Sequence, residues 1–139
     1  MAHNLTVLEY ALGEHDPKQI VWNALEGAHE QVELIGPGGA SRVLVATAPV
    51  ATKRGSIILT DKNKNEGRFQ GKVGLVLKMG ERAFKWDGPY DYTGLIPVIG
   101  DWVVFRPADS WETGINGVLC RWVHDQMIVA RVKTPEDVY

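Results

Sequence analysis

Side chains able to do chemistry are few in this chain and poorly placed for it. The histidines are His3, His15, His29 and His124, and no two share the spacing that puts a pair of imidazoles on one helix face or beside a cysteine pair. Cys120 is the single cysteine, which excludes an internal disulfide and a cysteine zinc site. Between Leu119 and Arg121 in a strand-like run it reads as a small core residue. Gly36-Pro37-Gly38-Gly39 lacks the Lys-Ser/Thr of a phosphate loop and precedes a strand where that motif needs a helix, so it reads as a turn. The carboxylates stand singly, and Asp101, in a Gly-Asp turn, is placed to cap local amides. These residues predict a protein that is not an enzyme, with no catalytic residues, no metal site and no cofactor.

The elements around them predict a mainly β fold. Pro97 to Pro107 holds a Gly100-Asp101 turn followed by Trp102-Val103-Val104-Phe105 and a proline stop. Four consecutive bulky apolar residues make a strand buried on both faces, which requires a closed barrel or a covered sheet around it. Arg42 to Ala46 and the alternating Lys72 to Lys78 read as further strands. Ile115-Asn116-Gly117-Val118 is a two-residue hairpin signal leading into Val118 to Val123, and His124-Asp125-Gln126 turns the chain into Met127 to Val132. Trp102, Val104, Val43, Val73, Leu75 and Leu119 are expected to bury in one cluster.

Residues 1–40 read differently from residues 41–139, and the two make the expected division into an N-terminal arm with a short helix and a β domain with a C-terminal tail. Asp16 caps a helix that Pro17 opens and Gly27 closes, over Pro17 to Glu26, with Ile20 and Leu25 on its apolar face. Val32 to Ile35 is expected as an edge strand. Upstream, Leu5, Val7, Leu8 and Tyr10 follow no period and read as an arm. Lys53 to Phe69 is a long polar loop interrupted by Ile57-Ile58-Leu59, and Met79 to Leu95 is a second excursion carrying Phe84, Trp86, Tyr90 and Tyr92 as a packed flap.

Composition narrows the partners. The chain has 139 residues, 45% of them hydrophobic, with 15 glycines and 7 prolines, as expected of one turn-rich domain. A formal net charge of -2 argues against a nucleic-acid binder, although Phe69, Trp102, Trp111 and Trp122 are residue types that stack on bases. No apolar run approaches bilayer length and the N-terminus lacks signal-peptide regions, which predicts no membrane partner and assembly in a cytoplasm.

From Ser41 onward the ordered motifs resemble the GroES-type co-chaperonin family. Ser41-Arg42-Val43-Leu44-Val45 is similar to its opening strand, and Thr52 to Thr60 to its mobile loop. Gln70-Gly71-Lys72-Val73 with Gly80 is similar to the strand after that loop, Val98 to Phe105 to its "V-G-D-x-V-x-F", and Met127 to Ala130 to its closing strand. The resemblance implies a partly open β-barrel that assembles into a ring and grips a GroEL-type chaperonin through Ile57, Ile58 and Leu59. Three apolar residues in a polar loop make a weak anchor that a ring multiplies. The residues alone allow equally that Ile57 to Leu59 form an ordinary edge strand on their own domain.

Forty residues precede the first strand, Ser56 stands where the family's loop has a second glycine, and the Met79 to Leu95 excursion is long and aromatic. With the Asp-Pro helix and the "GDWVVFRP" and "NGVLCR" runs, this pattern resembles GroES-like proteins of tailed bacteriophages. That resemblance implies a virion part, in capsid decoration or at the head–tail junction, assembled in the host cytoplasm. Its expected partners are further copies and virion proteins such as the major capsid protein. Leu5, Val7, Leu8, Tyr10, Ile20 and Leu25 are then the expected assembly arm. The alternative is a cytoplasmic co-chaperonin.

Overall fold

A computed structural model describes residues 16–47, 72–85 and 94–135, together with the backbone pairing of residues 7–8, 50–51 and 57–58. The strands in chain order are β1 (Val7–Leu8), β2 (Arg42–Thr47), β3 (Val50–Ala51), β4 (Ile57–Ile58), β5 (Val73–Met79), β6 (Trp102–Phe105), β7 (Ser110–Ile115), β8 (Val118–His124) and β9 (Ile128–Val132), with α1 (Pro17–Leu25) between the first two. Helix α1 forms where Asp16 and Pro17 predict it. The Asp16 carboxylate accepts from the Lys18 amide at 3.1 Å, which satisfies one of the amides that the first turn leaves without a partner. It ends one residue early, because Glu26 and Gly27 both turn left-handed, at φ 52° and 77°.

Val32 to Ile35 does not become a strand. A 3-10 turn over Ala28–Gln31 delivers an extended segment whose Val32 packs on the core by side chain, without a ladder, while Ile35 stays 73% exposed. The Ile35 carbonyl is taken by the Gly39 amide of the following turn.

Six strands form one antiparallel sheet in the order β7-β8-β2-β5-β6-β9. Register shifts at Leu44/Val45 and Val104/Phe105 bend β2 and β6, as bulges do. The sheet does not close. Strands β7 and β9 each have one neighbour among the described residues, so the partly open barrel expected from the sequence is here a bent, unclosed sheet. A second small sheet has the order β1-β4-β3.

Each face of the large sheet carries its own core, and this corrects the expectation of a single cluster. Because successive strand residues point to opposite faces, Leu44, Ala46, Val73, Leu75, Leu77, Trp102, Val118 and Cys120 gather on one side, with Val104 partly buried against them. Helix α1 covers that side with Ile20, Val21, Ala24 and Leu25. Val43, Val45, Val76, Val103, Phe105 and Val123 gather on the other side with Ala83 and Phe84. Leu119 is buried but belongs to neither cluster. Strand β6 is thus covered on both faces as its composition requires, with Trp102, Val103 and Phe105 each 2% exposed or less. Burying side chains of this size contributes about 1.5–3 kcal/mol each before ordering costs.

Two polar ties and one close passage hold the covers in place. The Asn116–Gly117 turn is left-handed at both residues, φ 51° and 83°, as a type I′ hairpin requires. The Asn116 side-chain amide then donates to the carbonyls of Ala24 at 2.8 Å and Leu25 at 3.3 Å, so the β7–β8 turn caps the last turn of α1. On the opposite face, Asp125 Oδ2 accepts from the Phe84 amide at 2.8 Å and holds Phe84 in a left-handed conformation, φ 61°. Gly80 enters that turn where a Cβ would strike the carbonyl oxygens of Gly39 and Ala40.

Asn116→Gly keeps the turn but removes the helix tie. It should lower unfolding free energy by about 1 kcal/mol in urea denaturation without changing the far-ultraviolet spectrum; no loss would contradict the tether. His29 gives a second test. It is 9% exposed, with its ring centroid 5.2 Å from that of Trp22, and burial holds its imidazole below the ordinary 6.5. The unfolded chain binds this proton more readily than the folded one, so His29 stabilises above 6.5 and that contribution is lost as pH falls through the folded value. The drop in Tm between about pH 7.5 and about pH 5 should be smaller in His29→Leu than in the wild type; equal drops would contradict this.

Candidate interaction surface

The residues expected to touch partners fall into two groups. Backbone pairing brings arm and loop together: Val7 lies opposite Ile58 and Leu8 opposite Ile57, and on the far side of the same strand Val50 faces Ile58 and Ala51 faces Ile57. The Ile57–Ile58 dipeptide is therefore the middle strand of the small sheet, neither a free loop nor an edge of the large one. Leu5, Tyr10 and Leu59 lie outside the described residues, as do Phe69, Trp86, Tyr90 and Tyr92.

Ile20 and Leu25 belong to the other group. They are 2% and 0% exposed inside the chain's own core, so the helix face expected to reach a neighbouring subunit is occupied by the sheet. The helix is amphipathic for internal reasons, and residues 17–25 are part of the folded domain and not of an arm.

An apolar surface that the sequence reading passed over lies beside strand β9. Leu95, Val98 and Ile99 are 66%, 58% and 56% exposed around a buried Pro97, and Val129 is 75% exposed. Leu95, Pro97 and Val129 line one small cleft of about 210 Å³, which brings Leu95 to Val129, while Val98 and Ile99 follow Pro97 in the chain. The Asp101 carboxylate shapes its edge by accepting from the Val98 amide at 2.9 Å and pairing with Arg131 at 3.3 Å, the amide-capping role its turn predicts. The signal in the sequence was Leu95-Ile96-Pro97-Val98-Ile99, an apolar run whose central proline disfavours a paired strand and leaves its side chains without a sheet to cover.

The two ends of the bent sheet meet at a second surface. Residues of β6 and β9 on one side, and of β7 and β8 on the other, line a groove of about 890 Å³. Phe105, Met127 and Val129 supply apolar wall, while Lys72, Glu112 and Arg121 supply charge. Arg121 is 7% exposed. Its Nη1 donates to Ser110 Oγ at 3.2 Å and to the Pro107 carbonyl at 3.4 Å, its Nη2 stands 3.9 Å from Glu112, and its Nε has no partner.

Other chemistry-bearing groups have local roles. Cys120 is fully buried and desolvation pushes its thiol up to about 12, so it is a packing residue with negligible thiolate at neutral pH. The buried Asp125 Oδ1 lies 2.9 Å from His124 Nδ1, which also stands 3.2 Å from the Gln126 amide. In that contact Nδ1 accepts from the Gln126 amide and caps the short 3-10 turn. Among the tryptophans weighed for base stacking, Trp102 is buried and Trp122 half-buried, while Trp111 is 68% exposed under the Arg42 guanidinium, 5.4 Å from its ring. No helix among the described residues is long and apolar enough to cross a membrane. Comparison with protein-family models and with curated protein sequences finds no match to this chain.

Proposed function

We propose that this chain is a non-enzymatic assembly protein of GroES-like type, serving as a structural component of a tailed-bacteriophage virion. The observation that carries the reading is the exposure of Leu95 and Val129 across one cleft, with Val98 and Ile99 exposed next along the chain, beside β9, which has one neighbour among the described residues. Exposed apolar side chains on an edge strand are an aggregation hazard unless a neighbour covers them. Copies of the same chain, or a capsid protein, are the covers this reading assigns. The motifs shared with GroES-like phage proteins supply the virion setting.

The co-chaperonin alternative needs Ile57 to Leu59 free to enter a chaperonin groove. Pairing of Ile57–Ile58 between β1 and β3 supports the structural role instead, since that pairing would have to open first.

Leu95→Ser with Ile99→Ser is the discriminating variant, because both residues are exposed and their loss should leave Tm within a few degrees of wild type. It should fail to co-sediment with purified particles that the wild type joins, and wild type should not be retained on a GroEL-type ring. A double variant that loads normally, together with chaperonin binding that Ser at Ile57, Ile58 and Leu59 abolishes, would reverse the choice. Deleting residues 1–12, and not the helix, tests the arm: the domain should stay folded while incorporation weakens.

A further inference from the structure

The groove at the two ends of the sheet has a charge that the described residues balance only loosely. The Arg121 side chain is 9% exposed, so its guanidinium has given up most of its hydration. In return it has a hydroxyl, a carbonyl at 3.4 Å and a carboxylate at 3.9 Å that is itself 51% exposed, which is beyond hydrogen-bonding distance. A desolvated cation so loosely compensated favours delivery of an anion to it. Of the neighbouring charges, Lys72 is exposed and attracts an anion, Arg106 and Asp109 offset each other through two hydrogen bonds of 3.0 and 2.9 Å, and Glu112 is the one carboxylate that competes for Arg121 among the described residues.

The shape of the site argues for a polypeptide. The groove runs between β7 and β9, the two strands of the large sheet with one neighbour among the described residues, so an extended chain lying there meets main-chain groups on those edges beside an apolar floor of Phe105, Met127 and Val129. We propose that this groove receives an extended segment of a partner protein, with an acidic side chain directed to Arg121 and apolar side chains two positions away resting on Phe105, Met127 and Val129. Main-chain pairing supplies affinity, the apolar side chains supply burial, and the carboxylate supplies selectivity. The inference rests on the groove alone and holds for a particle component and a co-chaperonin alike.

The test is selection from a yeast-displayed library of short random peptides on the full chain, followed by anisotropy measurements with a labelled winner. Enriched peptides should carry Asp or Glu with apolar residues at the second position to either side, following the strand period. Changing that acid to its amide should weaken binding by ~10-fold or more. Arg121→Lys should remove most of the acid–amide difference, and Met127→Glu should abolish binding. Glu112→Gln, at an exposed position that keeps the test valid if Arg121→Lys does not fold, should tighten binding of the acidic peptide by removing a competing carboxylate. Enrichment no greater than on Met127→Glu, winners without an acid, or equal binding of acid and amide forms would overturn the proposal. So would wild-type dimers in sedimentation that Met127→Glu disperses, since the occupant would then be a second copy.

Discussion

Two-sided burial of one unclosed sheet is the constraint on which the rest of this molecule depends. Strands β2, β5 and β6 are apolar in both phases of their alternation, so neither face can meet water. One face is covered by α1 and the other by the bend of the sheet and the Gly80–Phe84 turn. Each cover is then fastened by one polar side chain from the strand system: Asn116 on the α1 carbonyls and Asp125 on the Phe84 amide. The helix is too short to stand alone, which is why its capping carbonyls need a partner ninety residues away in the chain. Covering both faces does not pair the edges, and in the large sheet β7 and β9 each have one neighbour among the described residues.

Much of this is legible in the sequence where a local rule decides. Asp16-Pro17 starts the helix, Asn116-Gly117 makes the hairpin, and Trp102 to Phe105 announces a strand with two covered faces. Those signals act within a few residues. The division into two cores follows from the same alternation, but assigning Val43 and Leu44 to opposite faces needs the register of β2 against β5 and β8, which no local pattern contains. Ile20 and Leu25 misled for a related reason. An amphipathic face states only that something covers it, and here the cover is the chain's own sheet. Phe84 in a left-handed conformation, the close passage of Gly80, and Arg121 opposite the β9 edge are all contacts between distant segments, invisible until the strands are placed.

Among the described residues, the groups best suited to chemistry are taken up by the fold. Its one thiol is buried and protonated, and its buried carboxylate is engaged in holding a turn. Several exposed apolar residues lie near the last strand of the sheet: Leu95 shares a cleft with Val129, Val98 and Ile99 follow in the chain, and Val129 also lines the Arg121 groove. Strand β9 therefore borders two surfaces of different character, one apolar patch and one groove with a buried cation. A protein that assembles through β9 can bring two neighbours together across a single strand, which is the physical content of the assembly reading.

Hydrogen exchange on the dilute protein and on the protein in its assembled state tests this most directly. Amides of β2 and β5 should exchange only through global unfolding in both states, because both their neighbours are in place. Amides on the outer edge of β9 should exchange quickly in the dilute protein and gain protection on assembly. Protection of β9 equal to that of β2 in the dilute protein, or no gain on assembly, would contradict an account in which the open edge is the working surface.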